Sequence, residues 1–354
     1  MVNNYQPHRF PYLWRLADGY PAKGIEHHGC KVFGTFCCGG GSTMGYKLAG
    51  YDHIGGVELD PTIAEIYKRN HHPKHFYTMD IRDFNEIADL PEELYNLDLL
   101  DGSPPCSTFS TSGSREKAWG KEKQFAEGQK LQRLDDLVFV YCDTIAKLKP
   151  KVCLLENVSG LVKGNGKVYA KQIVKRLNEI GYNVQVFLLN GATMGVPQRR
   201  ERVFIIGLRK EFKLPKLHLD FNEKPIVFGE IRDYSDNEQN LTDFMFEYWK
   251  KRIPSDHDMS DIIARVDNGR LSGFDHCIIK DTDVPPTLKS VDKKTTLYDV
   301  PRYCNEKELK QIGTFPIDYD SNGKTVFLVG MSVPPVMAAQ ISYQIYKQWL
   351  TKIT

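Results

Sequence analysis

The sequence predicts an α/β fold in which a largely parallel sheet is wrapped by helices and accompanied by a smaller second domain. Three observations carry this expectation. From Lys31 onward, short β-branched or aromatic runs alternate with amphipathic stretches. A glycine cluster follows directly on the first such run, and beyond Leu208 the alternation stops. Element by element, KVFGTFC (31–37) reads as a strand and STMGYKLAG (42–50) as the helix that the glycines open. HIGGVELD (53–60) is a second strand, and PTIAEIYKRNH has Pro61 in its first turn and helical spacing after it. HFYTMD (75–80) and LYNLDLLDG (94–102) are the third and fourth strands. LDDLVFVYCDTIAKL (134–148) is an amphipathic helix leading into the strand KVCLLENV (151–158). KVYAKQIVKRLNEIG (167–181) is a helix stopped by Gly181, and NVQVFLLN (183–190) and ERVFIIGL (201–208) are further strands. PPVMAAQISYQIYKQWL (334–350) is a last helix with proline at its start.

The remaining segments lack a period. Residues 1–30 are expected to form an irregular arm packed on the sheet, and 209–300 hold scattered Pro, Asp and Asn without a repeat. The expected division is an arm at 1–30, a main domain of 31–210 plus 326–354, and a second domain at 211–325.

Composition sets bounds on function. Of 354 residues 41% are apolar and 26% charged, enough for a sizeable core and too ordered a balance for a disordered chain. Lys and Arg number 47 against 45 Asp and Glu, a net +2, which excludes a bulk polycation or an acidic tail protein. A neutral total still leaves room for a basic groove, so nucleic-acid binding stays open. No run of eighteen apolar residues predicts a membrane span. Eight cysteines without a C-x-x-C pair suit neither a disulfide scaffold nor a metal site, so a reducing, cytoplasmic setting and no metal are expected.

The sheet's carboxyl edge collects the candidate chemistry. Gly39, Gly40 and Gly41 let the backbone approach a ligand closely where parallel strands end. The G-x-G-x-x-G dinucleotide fingerprint fails, because Met44 takes the last glycine's place. Glu58 ends the second strand, where a carboxylate can accept from both ribose hydroxyls. Asp80, with Ile81 beside it, ends the third and could read an adenine edge, and Phe36 could pack on the adenine face. Each alone is more ordinarily a turn glycine or a surface acid, but successive strands ending this way point to a nucleoside site.

The fourth strand runs into Pro104-Pro105-Cys106. Two prolines fix φ at successive residues and so fix where the cysteine points. A thiolate is a strong soft nucleophile, although most free cysteines are small buried hydrophobes, the reading that suits Cys30, Cys142, Cys153, Cys277 and Cys304. Glu156 ends the fifth strand and, on a parallel neighbour, can face the same crevice as Cys106, holding a proton to donate. Arg200 and Arg202 alternate at the start of a later strand, a spacing that puts them on one face to grip a phosphate or a base carbonyl.

With these motifs in order, the chain resembles the cytosine-C5 DNA methyltransferase family from Lys31 to Trp349. F-x-x-x-G-G (36–41), Glu58, Asp80, PPC (104–106), ENV (156–158), QRRER (198–202) and G-x-S-V-P-P (330–335) follow that family's sequence of blocks. The resemblance implies a Rossmann-like S-adenosylmethionine-dependent methyltransferase sheet with a smaller target-recognition domain. It implies Cys106 as the nucleophile at cytosine C6, Glu156 as the proton donor at N3, and Arg200 and Arg202 as orienting groups. Phe36, Gly40, Gly41, Glu58, Asp80, Ile81, Pro105, Ser332 and Val333 match cofactor-contacting positions, and no metal is implied. Residues 107–133, with six Lys/Arg against three Glu, match a loop that closes over flipped DNA, with Ser107, Ser110, Ser112 and Arg115 as its contacts.

The implied partners are double-stranded DNA and, where the enzyme is half of a restriction–modification system, a cognate endonuclease acting separately. A cytoplasmic monomer with no membrane association is expected. Residues 199–216 add seven basic against two acidic residues, whereas 235–261 holds seven acids and three bases and is expected to face away from DNA. Departures from the family pattern are Cys38 for glycine, Ser107 for glutamine, Met331 for asparagine, Gln311 for arginine and Gly313 for glutamine. Two alternatives remain: a tRNA cytosine methyltransferase, whose Cys-Phe-Thr tripeptide is missing here, and a non-catalytic DNA-binding regulator, against which Cys106 and Glu156 argue.

Overall fold

The computed structural model describes residues 4–105, 136–164, 166–236, 238–269, 276–290 and 295–353. These form two compact units. The first comprises Gly19–Asn190, Glu201–Phe221 and Met337–Thr354, and the second Met1–Asp18, Gly191–Arg200 and Asn222–Val336.

A mixed seven-stranded sheet builds the first unit, in the order β3-β2-β1-β4-β5-β7-β6. Its strands are β1 (Lys31–Thr35), β2 (Asp52–Glu58), β3 (His75–Thr78), β4 (Leu99–Gly102), β5 (Val152–Val158), β6 (Tyr182–Asn190) and β7 (Glu201–Arg209). Neighbours from β3 through β5 pair in parallel, as the strand–helix alternation predicts. β7 runs antiparallel to both β5 and β6, which alternation of side chains does not reveal, because its period is the same in either direction. Helices α1 (Gly41–Leu48), α2 (Pro61–His71), α3 (Ile81–Glu86), α4 (Leu137–Leu148) and α5 (Gly166–Glu179) lie between successive strands. Asp60 caps α2 ahead of Pro61, accepting from the Thr62 and Ile63 amides, so the helix starts where the sequence places it. The short α3 has no sequence period to announce it, and Asp80 caps it.

Phe33, Leu100, Tyr141, Ile145, Leu155 and Ile205 belong to one buried cluster. Tyr141 reaches across it and donates to the carbonyls of Leu100 (2.9 Å) and Leu154 (2.8 Å), clamping α4 to the junction of β4 and β5. This places the carboxyl ends of those two strands side by side on a rigid base.

The second unit has little regular structure. Its core joins Leu241, just ahead of α6 (Asp243–Trp249), with Met245, Trp249, Met259, Ile262 and Ile278 from α6, α7 (Met259–Asp267) and the short strand β8 (Ile278–Ile279), which pairs with β9 (Thr296–Leu297). Polar contacts do the remaining work. Arg302, fully buried, holds Glu308 through two hydrogen bonds of 2.8 Å, and Arg232 joins Asp281 (2.9 Å) to Asp299 (2.6 Å). Several acids of the 235–261 interval serve this framework, Asp258 and Asp261 as the capping box of α7 and Asp256 as the partner of Arg265. Helices α8 (Glu306–Ile312) and α9 (Thr325–Met331) follow, and α10 (Pro335–Gln348) carries the chain into the first unit.

The N-terminal stretch corrects one expectation. Only its part from Gly19 groups with the sheet; residues up to Asp18 group with the second unit. The Arg9 amide donates to Glu223 (3.2 Å), the Trp14 indole to the Thr314 carbonyl (2.9 Å), and the Leu16 amide to Asp318 (2.6 Å). Partners 200 to 300 residues away leave no local pattern to read. Thr325–Lys352 has the length and apolarity of a membrane span, yet 83% of its most apolar window is buried, as in a core helix.

Candidate active site

Three adjacent strands end in the expected nucleoside-binding residues. After β1 the chain turns sharply: Phe36, Cys38 and Gly40 take φ of +57°, +45° and +71°. A Cβ at Gly40 would lie 2.2 Å from His71 Nε2, so the α2 side chain and the left-handed backbone both require glycine there. Cys38, where the family pattern has glycine, holds a left-handed conformation that costs a non-glycine residue about 1–2 kcal/mol. Glu58, at the end of β2, fastens the turn: its two carboxylate oxygens accept from the Cys38 amide (2.8 Å) and the Asp60 amide (2.9 Å). Burial raises its pKa, against the lowering effect of those hydrogen bonds. Each oxygen keeps a lone pair for a further donor.

Asp80, after β3, accepts from the Arg82 amide (2.8 Å) and pairs with the Arg82 guanidinium (3.1 Å), which also reaches Asp136 (2.8 Å). Ile81 turns into the core with Phe84, and the Phe36 ring is half-buried against the same cluster.

The second group lies on β4, β5 and β7. Glu156 lies two residues before the end of β5, is 8% exposed, and forms an ion pair with Arg202 of β7 at 2.9 Å. Burial lowers the Arg202 pKa, against the opposing pull of Glu156, and a guanidinium still keeps its charge. On the next strand, Asp101 of β4 is 5% exposed and accepts from the Tyr46 hydroxyl of α1 at 3.0 Å. Burial pushes Asp101 up to about 7, opposed by hydrogen bonds from Tyr46 and Ser42 and reinforced by the charge of Glu156.

Asn157 is a residue the sequence shows only as a letter in a motif. Buried beside Glu156, it donates from Nδ2 to the Pro104 carbonyl (3.2 Å) and accepts from the Val158 amide (2.9 Å). The end of β5 thereby holds the Pro104-Pro105 step. Cys106 and the loop residues Ser107, Ser110, Ser112 and Arg115 lie outside the described residues.

The expectation that Arg200 and Arg202 share one strand face is corrected. β7 begins only at Glu201, and Arg200 is a buried strut of the second unit. Its guanidinium donates to the carbonyls of Gly330 (2.9 Å) and Leu288 (3.2 Å) and to Gln198 Oε1 (3.4 Å). Gln198 in turn donates to the Ile312 carbonyl (3.3 Å). Two of the seven basic residues counted over 199–216 are therefore engaged inside the protein rather than offered to phosphates. Ser332 and Val333 follow α9 in that unit, both buried, and the Ser332 hydroxyl has no hydrogen-bond partner among the described residues. Among the departures, Gly313 is explained by Val329, whose Cγ1 would sit 2.3 Å from a Cβ and leaves no room for glutamine.

Comparison with known proteins places this arrangement. Residues 30–347 match the family described as C-5 cytosine-specific DNA methylase. The Type II methyltransferase M.FnuDI of Fusobacterium nucleatum is 33% identical over 215 residues, covering 58% of this chain and 56% of its own. M.HindV of Haemophilus influenzae is 28% identical over 319 residues, 87% of this chain and 93% of its own. The chain thus spans just over half of the first relative and nearly all of the second. Among solved structures, Spodoptera frugiperda DNMT2 superposes with a TM-score of 0.59 at 18% identity, over 90% of this chain and 100% of that one. An Escherichia coli chain encoded within a prophage reaches 0.63, also at 18% identity, over 90% of this chain and 99% of its own. Likeness at that identity concerns the fold.

Proposed function

Because the chain belongs to the C-5 cytosine-specific DNA methylase family, we propose that it is a DNA (cytosine-5-)-methyltransferase acting on a cytosine flipped out of double-stranded DNA. The observation that carries this reading is Glu156, held by Arg202 near the end of β5, with Asn157 beside it pinning the Pro104-Pro105 step that leads to Cys106.

Stacked in a duplex, cytosine C6 is out of reach, so the base must leave the helix at a cost of a few kcal/mol. Cys106 attacks C6 as the thiolate, from a mount in which two prolines have removed backbone freedom. Glu156 delivers a proton at N3 as the C6–S bond forms, which converts the aromatic ring into an enamine with a nucleophilic C5. Arg202 fixes the orientation of Glu156, and Arg200 acts at one remove by bracing Leu288 and Gly330. S-adenosylmethionine supplies the activated methyl group. Phe36, Gly40, Gly41, Glu58, Asp80, Ile81, Pro105, Ser332 and Val333 are the residues proposed to hold it. The buried Ser332 hydroxyl, without a partner among the described residues, is a group that such a ligand would complete. Loss of the C5 proton and elimination of Cys106 regenerate the free thiol with 5-methylcytosine.

Sequence reading is assigned to residues 211–325, and phosphate contacts to the 107–133 loop with Ser107, Ser110, Ser112 and Arg115. A separately acting endonuclease is the partner that a Type II system implies. The test is trapping: duplex DNA containing 5-fluorocytosine, with S-adenosylmethionine, gives a covalent adduct with wild type and none with Cys106→Ala. Failure of the wild type both to form that adduct and to label mixed-sequence DNA would sink the proposal; labelling of tRNA in its place would favour the alternative substrate.

A further inference from the structure

Behind the glycine turn that opens α1 stands a buried side chain that the chemistry above does not use. His71 is the last residue of α2 and is 5% exposed. Its imidazole points into the turn: Nε2 lies 3.4 Å from the Gly39 carbonyl oxygen, and the ring fills the space that a Cβ on Gly40 would need. Burial drives its pKa down to about 3, with the charge of Lys47 adding to that effect and the Gly39 contact opposing it. The ring is therefore neutral, and a carbonyl partner calls for the proton on Nε2.

Neighbours on α1 and α2 fix where that ring stands. The Lys47 ammonium, from the last turn of α1, donates to the His71 carbonyl at 3.0 Å, satisfying an acceptor that the end of α2 leaves open. One helical turn back, the Tyr67 ring packs on the imidazole with centroids 4.5 Å apart, and stacks in turn on Phe76 of β3 at 4.6 Å. The Tyr67 hydroxyl hydrogen-bonds Thr43 of α1 at 2.9 Å, and Thr43 reaches His53 of β2 at 3.2 Å. The imidazole is thus held by several elements against two glycines of the turn, of which Gly40 is left-handed at φ +71°. A side chain that served only to fill this space would be better apolar, with no polar atom to desolvate.

We propose that His71 is a positioning residue for S-adenosylmethionine, holding Gly39 and Gly40 in the bend that lets the cofactor approach the backbone. The inference rests on the methyltransferase reading and adds to it a residue that acts through the turn. From beneath, the ring draws the Gly39 carbonyl inward and blocks the turn from relaxing toward α2. Removing it frees two glycines, the residues with the most backbone freedom to regain, and the cost of ordering them then falls on cofactor binding. Methyl transfer from the bound complex does not depend on the ring, so affinity moves and the saturated rate does not.

The experiment titrates S-adenosylmethionine calorimetrically into wild type, His71→Ala, His71→Gln, Gly40→Ala and the double variant of Gly40→Ala with His71→Ala. Methyl transfer to mixed-sequence duplex DNA is measured alongside over a range of cofactor concentrations. His71→Ala should bind about tenfold more weakly, with KM for the cofactor raised to match and kcat within about twofold of wild type. His71→Gln, whose amide nitrogen falls where Nε2 stands, should recover most of the affinity. Gly40→Ala should cost less affinity in the His71→Ala background than in wild type, because the ring that its Cβ meets is gone. Wild-type affinity in a folded His71→Ala protein overturns the proposal, whatever its melting temperature, since that marks a merely structural role. A glutamine variant no better than alanine overturns it too, and so do equal losses from Gly40→Ala in the two backgrounds. If circular dichroism shows that His71→Ala does not fold, His71→Leu takes its place in the comparison with His71→Gln. Absence of cofactor binding by wild type would instead overturn the methyltransferase reading on which the inference rests.

Discussion

Replacing Asn157 with alanine tests whether the end of β5 holds the reactive step in place. The substitution deletes the donor to the Pro104 carbonyl (3.2 Å) and the acceptor of the Val158 amide (2.9 Å). Each such bond contributes about 1 kcal/mol net, and a buried carbonyl left without its donor adds a penalty of about 1–3 kcal/mol. That loss is local and modest beside the stability of a chain this size. Its effect on rate should be larger: freeing a nucleophile's mount by about 1 Å costs on the order of a hundredfold. Single-turnover methyl transfer by Asn157→Ala should therefore fall by about that factor, while calorimetric affinity for S-adenosylmethionine stays near wild type. Asn157→Asp, which keeps the acceptor and loses the donor, should fall between. Transfer at the wild-type rate by a folded Asn157→Ala protein would refute the claim that this side chain positions Cys106.

Three further outcomes follow from the packing. Gly40→Ala should lower cofactor affinity at least tenfold in a calorimetric titration, because its φ of +71° and a contact of 2.2 Å with His71 force the turn to move. Gly313→Gln should destabilise by about 1–3 kcal/mol in a denaturant titration, and Val329→Ala in the same chain should recover part of that loss by vacating the space 2.3 Å from the new Cβ. Arg302→Met leaves Glu308 buried and unpaired, an expected loss of about 3–5 kcal/mol; replacing Glu308 with Leu as well should restore most of it, read by the same titration.

What the sequence conveys and what it withholds divide along physical lines. Strands β1 to β5 and helices α1, α2, α4 and α5 are legible because a buried face imposes a period, and because Pro61 and Gly181 punctuate it; the short α3 is not. The reversal of β7 is not legible, since reversing a strand leaves its alternation unchanged. The Arg200–Arg202 expectation fails by one residue of strand length: Arg200 precedes β7, and backbone carbonyls at Leu288 and Gly330 claim it. The region after residue 209 resists reading because capping carboxylates and the buried Arg302–Glu308 pair organise it more than apolar periodicity does. At the candidate site, Glu58 and Glu156 are visible as acids at or near strand ends. His71 and Asn157 are not, because their importance lies in partners on other elements.

The attachment of the first eighteen residues sets an order of events during synthesis. Arg9 waits for Glu223, Trp14 for Thr314 and Leu16 for Asp318, partners that leave the ribosome 214 to 302 residues later. At about 5–20 residues per second that delay is roughly 10–60 s. Throughout it the Trp14 side chain, buried once folding is complete, must stay clear of premature association. The seven-stranded sheet faces a smaller version of the same delay, since β7 is made only after Gly191–Arg200 has been released to the other unit. Each unit is completed by chain that arrives after the other has begun, so neither can be finished before segments of the other have been made.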